Sequence, residues 1–464
     1  MKRSLDRGHL IVLCLCVLWT IQGAHSSCWA VSLTTADRSR LTTILHQADS
    51  DLRNDVMPFW TRSTWDTKYG GFLTEVDRRG MPLPNSGKHS IMQARMIWTL
   101  SAAHRYGIRD RGYLALAKKA VRYLTTTMWD PKFQGFYMSV KNDGTPDDTR
   151  KFTYCQEFVV YGLAEYALVS GDRNALHWAE KTYDLIKQKA GDGALGFRED
   201  FDREWRPLPG SLSVIGVPSG KTLNTHMHMM EALTALAEAS RSTYYKVELE
   251  RVTDLLVRKA INLRYGCAME PFDRNWNPTR DGKGRISTFY GHNVELASLF
   301  LDAYAVLGRP RENLRTTFFG LIDNAIKYGF DSRQGGLAVS GPYDSLVTAS
   351  PDYADSVAAK DWWEQAEAMT AFTQAYEWSG ERHYLKALST QWDWIWRHQI
   401  DHQGGDWFTT VKWTTGEPLT LDKGAGGWKV CYHNGRSLMN VSMALRAILR
   451  KTPPQPSNAK VRHH

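Results

Sequence analysis

Cysteine is scarce in this chain, six in 464 residues, and two of those, Cys14 and Cys16, sit inside an amino-terminal apolar run. The other four, Cys28, Cys155, Cys267 and Cys431, stand far apart without metal-ligand spacing, so no disulfide framework or zinc site organises the fold. Long apolar runs are equally rare. The one from Leu10 to Ile21 is too short for a comfortable membrane span. With Lys2, Arg3 and Arg7 before it and small or polar residues after it, it has the layout of a secretory signal peptide. Ala24-His25-Ser26 offers a cleavage site and Cys28-Trp29-Ala30 a second, with a lipidated Cys28 or an uncleaved anchor as other fates. The expected location is secreted or periplasmic, or cytoplasmic if the leader does not function.

No Pro-, Gly- or Ser-rich linker interrupts the body. Residues 1–30 are read as the leader, 31–451 as one domain, and 452–464, with Pro453, Pro454 and Pro456, as a disordered tail. The net charge of +9 is concentrated at the two ends. No basic stripe interleaved with aromatics runs through the middle, so nucleic acid is not an expected partner. No membrane partner is expected beyond the leader or a lipid on it.

What the chain does have is aromatic surface, with 18 tryptophans and 20 tyrosines. Such rings suit core packing, and they also suit a carbohydrate cleft, where a flat ring meets the apolar face of a sugar. It also has a repeat. Gly70-Gly71-Phe72, Gln134-Gly135-Phe136, Leu195-Gly196-Phe197, Cys267-Ala268-Met269-Glu270, Gly335-Gly336-Leu337 and Gly404-Gly405-Asp406-Trp407 each open a short hairpin-like segment, usually followed by two helix patterns. Two such patterns run over 90–104 and 111–126. An earlier stripe, Leu41, Ile44, Ala48 and Leu52, is expected to end before Pro58. Six helix pairs joined by short strands predict an all-α fold, an (α/α)6 barrel with β-hairpin segments between the pairs. Neither end shows the polar caps that an open helical solenoid needs.

Several helix starts carry polar or aromatic side chains that one rim of such a barrel would gather. Arg95 follows Gln93, placed to clamp a hydroxyl or an oxyanion. Asn224-Thr225-His226-Met227-His228 heads another helix. Its two histidines are two apart and share no face, which argues against a metal pair, whereas His228 and Glu231 do share one. In Gly291-His292-Asn293-Val294-Glu295 the three-residue spacing lets Glu295 fix the tautomer of His292. Trp362-Trp363-Glu364-Gln365-Ala366-Glu367 supplies adjacent tryptophans, costly to expose and suited to a sugar platform or a core anchor. Trp428 precedes Tyr432-His433-Asn434-Gly435-Arg436, where Leu438, Val441, Leu445 and Ile448 mark a helix whose start carries His433. An imidazole beside that positive helix end tends to stay neutral, as a general base must.

Together these motifs resemble the N-acylglucosamine 2-epimerase family, and most narrowly its cellobiose 2-epimerase branch, over most of the chain after the leader. The resemblance implies an (α/α)6 barrel and an isomerase that interconverts gluco and manno configurations at C2 of the reducing-end sugar of a β-1,4-linked disaccharide, passing through a cis-enediolate. It implies that His433 opens the ring and abstracts the proton, that His292 returns it, that Arg95 stabilises the enediolate oxygen, and that Glu295 orients His292. Asn224 and His228 would hold sugar hydroxyls. Glu367 would contact the reducing-end sugar or its histidine partner, and Trp363 and Trp428, with Trp362 beside them, would stack on the rings. No metal or cofactor is implied. Cys431 stands where a proline is common in the family. The competing readings are an aldose–ketose isomerase of the mannose isomerase type, an N-acylglucosamine 2-epimerase, a glycoside hydrolase using Glu295 and Glu367, and a non-catalytic sugar-binding barrel.

Overall fold

The computed structural model describes residues 33–84, 87–109, 112–208, 220–280, 284–350, 358–424 and 428–451. The leader and the tail expected from the sequence lie outside the described residues.

In chain order the helices are α1 (Thr35–Ser50), α2 (Met57–Arg62), α3 (Ser90–Tyr106), α4 (Tyr113–Thr127), α5 (Thr153–Ser170), α6 (Arg173–Ala190), α7 (Leu223–Ser240), α8 (Thr243–Lys259), α9 (Tyr290–Leu307), α10 (Arg315–Asn324), α11 (Trp362–Ser379), α12 (Arg382–Trp394) and α13 (Tyr432–Lys451). The odd-numbered helices from α3 to α13 form an inner ring in which each packs on the next and α13 returns to α3. The even-numbered helices from α4 to α12 lie outside, each against the inner helix that precedes it, and α1 fills the sixth outer place against α13. The ring is therefore a closed (α/α)6 barrel whose sixth pair joins the two ends of the domain.

Burial follows that arrangement. α5 is buried on every side from Thr153 to Ala167, as an inner stave must be, whereas α6 buries only a stripe, Ala175, Ala179, Thr182, Tyr183, Leu185, Ile186 and Ala190, the mark of a helix with one wet face. None of the described helices is long and apolar enough to cross a membrane.

The helix starting at Thr35 does not stop before Pro58. A π turn, Asp51–Val56, carries it into α2, with the Met57 N–H donating to Leu52 O five residues back. Proline then falls in the first turn of the next helical segment, where its missing donor costs little.

The six predicted hairpin segments are present, marked by the pairs Trp65–Phe72, Trp129–Phe136, Gly191–Phe197, Ile261–Ala268, Phe330–Leu337 and Ile400–Trp407. A repeated latch fastens several of them to the inner staves. A buried lysine just before the stave reaches back to an aspartate and a carbonyl of the turn: Lys88 to Asp66 (2.8 Å) and Gly70 O (2.6 Å), Lys151 to Asp130 (3.3 Å) and Gly135 O (3.2 Å), Lys221 to Asp192 (3.0 Å) and Phe197 O (2.9 Å). An amide on the stave then grips the hairpin backbone. Gln93, Gln156 and Gln365 each accept from the N–H and donate to the C=O of Phe72, Phe136 and Leu337 respectively. His226 takes this place on α7: Nε2 accepts the Phe197 N–H at 3.1 Å and Nδ1 faces Thr222 O at 2.9 Å. Burial pushes its pKa down to about 3, so this ring is an uncharged structural wedge.

The latch aspartates set the acid limit of the fold. At Asp192 the hydrogen bond from Arg274, with Lys221, holds the carboxyl below its usual range. At Asp130, and at Asp401 in the sixth hairpin, which Lys423 (3.0 Å) and Arg78 (2.7 Å) hold, burial works against ionisation but is outweighed, at Asp130 by Arg203 and Lys151 and at Asp401 by Arg78 and Lys423. A carboxyl depressed in the folded state stabilises above its unfolded pKa and ceases to do so as pH falls through the folded value. The thermal midpoint is therefore expected to fall steeply below roughly pH 4, and a midpoint unchanged between pH 5 and pH 3 in a fluorimetric melt would contradict this.

Candidate active site

The inner helices all begin at the same end of the barrel, so their positive ends and first side chains converge on one rim. Tyr154, Asn224 and His433 are second residues of α5, α7 and α13, His292 is third in α9, and Trp362 and Trp363 open α11. One turn deeper, Arg95, His228, Glu295 and Glu367 are each the sixth residue of their stave. The cleft between them has a volume of about 450 Å³, within the range of small-ligand sites, roughly 300–1,000 Å³. Arg95, Asn224, His228, His292, Glu295, Trp362, Trp363, Trp428 and His433 all line it, and Glu367 stands behind His433.

Three histidines face this space, each with Nδ1 on a carboxylate: His228 on Glu231 at 2.8 Å, His292 on Glu270 at 2.7 Å, and His433 on Glu367 at 2.7 Å. A carboxylate on Nδ1 fixes the ring and leaves Nε2 for a ligand. The partner of His292 differs from the sequence expectation. Glu295 shares its helical face, but the imidazole Nδ1 turns to the hairpin in front of α9, where Glu270 lies, and the Glu295 carboxylate is taken by Arg436.

Arg436 is the charge at the floor of the cleft. Its guanidinium donates to Glu231, Glu295 and Glu367, the last at 2.8 Å, and to the Tyr432 hydroxyl at 2.6 Å. Glu295, Glu367 and His433 lie close enough together to suggest a cation site. The protein's own guanidinium supplies the positive charge there.

The histidines are tuned apart. His433 is driven well below its ordinary pKa, first by burial and then by Arg95 and Arg436. Burial also pulls on His292, but Glu270 and Glu295 outweigh it and raise its pKa. Burial lifts Glu367 above its ordinary range against the pull of Arg436. Glu231, buried too, is brought down to about 2, chiefly by Arg436 and His228. Titratable groups pushed in opposite directions within one cleft are what acid–base chemistry requires.

Arg95 is held flat, donating to Trp428 O (2.8 Å) and Tyr154 Oη (3.1 Å) and lying 4.4 Å from the Phe158 ring centroid. Its Nε has no hydrogen-bond partner among the described residues, and neither has the buried Oδ1 of Asn224. Trp363 packs against both tuned histidines, its ring centroid 5.1 Å from His292 and 5.8 Å from His433. Gly291 makes that approach feasible, because a Cβ there would lie 2.7 Å from the Trp363 ring. Trp362 is buried and packs edge-on to His433.

Sequence reasoning missed Glu270, Tyr154, Asp361, Thr409 and Thr410. The repeat register carried a signal for two of them. Glu270 lies two residues past Ala268, as Glu199 lies two past Phe197 and Thr409 two past Trp407. Glu199 bonds Thr225, the third residue of α7 (3.1 Å), as Glu270 bonds His292, the third of α9. In Glu270→Gln, His292 is expected to titrate at lower pH, because the amide removes the negative charge that favours the imidazolium. Its carbon-labelled ring proton would report this by NMR, and an unchanged titration would free Glu270 of that role.

The sequence pattern of the N-acylglucosamine 2-epimerase (GlcNAc 2-epimerase) family matches residues 70–436. A cellobiose 2-epimerase of Bacteroides fragilis is 29% identical over 394 residues, covering 84% of this chain and 96% of that one. Another, from Ruminococcus albus, is 30% identical over 405 residues, 86% and 98% of the two chains. The solved structure of cellobiose 2-epimerase from Bacillus thermoamylovorans superposes with a TM-score of 0.77 at 30% identity, over 87% of this chain and 100% of that one. With a closed double ring of helices, a histidine-lined cleft at its rim and a match spanning both, the chain belongs to the N-acylglucosamine 2-epimerase family of carbohydrate isomerases.

Proposed function

We propose that the cleft interconverts gluco and manno configurations at C2 of the reducing-end sugar of a β-1,4-linked disaccharide. The observation that carries this reading is the pair His433 and His292, tuned in opposite directions, both lining one cleft and both in contact with Trp363. Inverting a carbon beside a carbonyl needs one group to remove its proton and another to return it from the opposite face. Neutral His433 takes the C2 proton at Nε2 while Nδ1 stays tied to Glu367. The charge that develops on O1 falls to Arg95 and to the gathered helix starts. After rotation about C2–C3, His292 delivers its Nε2 proton to the other face. Starting from the other epimer exchanges the two roles, and no net proton is consumed.

The disaccharide is supported by the names of the relatives and by the tryptophans around the reacting centre. Hydrolysis by a carboxylate pair fits less well, because Glu295 and Glu367 are both committed to Arg436. The test is incubation with cellobiose in deuterated water, read by NMR. Deuterium at C2 with a mannose reducing unit is the expected product. Accumulation of a ketose would make the enzyme an aldose–ketose isomerase, and release of glucose would make it a hydrolase.

A further inference from the structure

Inversion at C2 employs two of the three histidine–carboxylate pairs. We propose that the third, His228, opens the sugar ring, its Nε2 carrying the O1 proton to O5 so that His433 and His292 act on C2 alone. This rests on the epimerase reading and reassigns ring opening, which the family resemblance lays on His433.

The chemistry creates the need. In a closed pyranose C1 is a hemiacetal, and the C2 proton is not acidic until C1 becomes a carbonyl. Opening requires a base at O1 and an acid at O5. One imidazole nitrogen serves for both in sequence: Nε2 accepts the O1 proton, the C1–O5 bond breaks as C1=O1 forms, and O5 takes the same proton back. Atoms and charge balance without any co-reactant.

The geometry of His228 suits that work better than mere hydroxyl binding. It projects from α7, the stave opposite α13 in a six-membered ring, so it reaches a bound sugar from the side facing His433. Its Nδ1 is committed to Glu231, whose other oxygen accepts from Tyr432 (2.7 Å) and Arg436. The carboxylate is thereby pinned as an anion behind the ring, while Nε2 is the ring atom left for the cleft.

Two residues earlier on the same helix, His226 shows what a structural histidine looks like in this protein. Its nitrogens meet a backbone carbonyl and a backbone N–H, and the Glu199 carboxylate stands 3.7 Å from Nδ1, beyond hydrogen-bond reach. For a residue that only holds a hydroxyl, a pinned anion does no more than fix the ring; for one that becomes an imidazolium in passing, it also stabilises the charge.

The experiment measures two rates on cellobiose for the wild-type enzyme and His228→Gln. One is the exchange between α and β anomers, which requires ring opening only, by saturation-transfer NMR. The other is epimerisation. The expected result is that His228→Gln loses the catalysed part of anomer exchange, and that kcat for epimerisation falls about 100-fold with KM within about threefold. Catalysed anomer exchange surviving at the wild-type rate, or a raised KM with kcat retained, would overturn the proposal and leave His228 as a binding residue. Should the glutamine variant not fold, His228→Asn carries the same test. If the wild-type enzyme exchanges anomers but never labels C2, the epimerase reading fails while ring opening by His228 stands or falls on the first rate.

Discussion

Replacing His433 with asparagine is expected to lower epimerisation by roughly 10³-fold or more while the barrel stays folded. Asparagine keeps an amide near the Nδ1 position to meet Glu367, and loses the Nε2 atom that faces the cleft. His292→Asn should cost a similar factor, and the double variant little more than either single one, because groups that act in one proton relay are not additive. The label distinguishes the two. In His292→Asn the remaining base still removes the C2 proton of one epimer and hands it back to the same face. Deuterium should therefore enter C2 of that epimer faster than the configuration changes. Turnover above about a tenth of wild type in either single variant would end the two-histidine mechanism.

Arg436→Met is expected to cost stability as well as activity. It leaves Glu231, Glu295 and Glu367 buried together without their common counter-charge. Removing one partner of a buried ion pair costs about 3–5 kcal/mol. For a domain of this size that corresponds to a fall in thermal midpoint of roughly 4–6 °C. The sign with pH follows from Glu231. With Arg436 present its folded pKa is depressed to about 2; without it, burial loses its chief opponent, only His228 and Tyr432 remaining, and the folded pKa is expected to rise above the unfolded one. A raised carboxyl stabilises below its unfolded pKa and ceases to do so as pH rises through the folded pKa. The deficit of the variant relative to wild type should therefore be larger at pH 8 than at pH 5. A variant as stable as wild type at pH 8 would show that the carboxylates find other partners.

The closed ring was legible from the spacing of the hairpin segments, because glycine turns recurring between helix patterns leave few other architectures. The cleft was largely legible too. Arg95, Asn224, His228, His292, Trp363 and His433 meet in one space because each begins, or lies one turn into, an inner stave. What sequence spacing could not decide was which partner a buried side chain turns to. His292 and Glu295 satisfy the helical rule for a pair, yet the imidazole reaches Glu270 on a different element, and Glu295 answers a guanidinium far along the chain. The end of the first helix was misplaced for a related reason, since a π turn changes the register that Pro58 would otherwise break.

The order in which the staves occur along the chain has a consequence for how the barrel comes together. Glu231, Glu295 and Glu367 belong to α7, α9 and α11, and Arg436, whose guanidinium bonds all three, belongs to α13, as does His433. During synthesis the three anions emerge first. Until the last stave seats between α11 and α3, drawing them together in a dry interior is unfavourable, so an incomplete chain is held open by its own charge. Seating α13 closes the ring, neutralises its floor and brings His433 to the cleft.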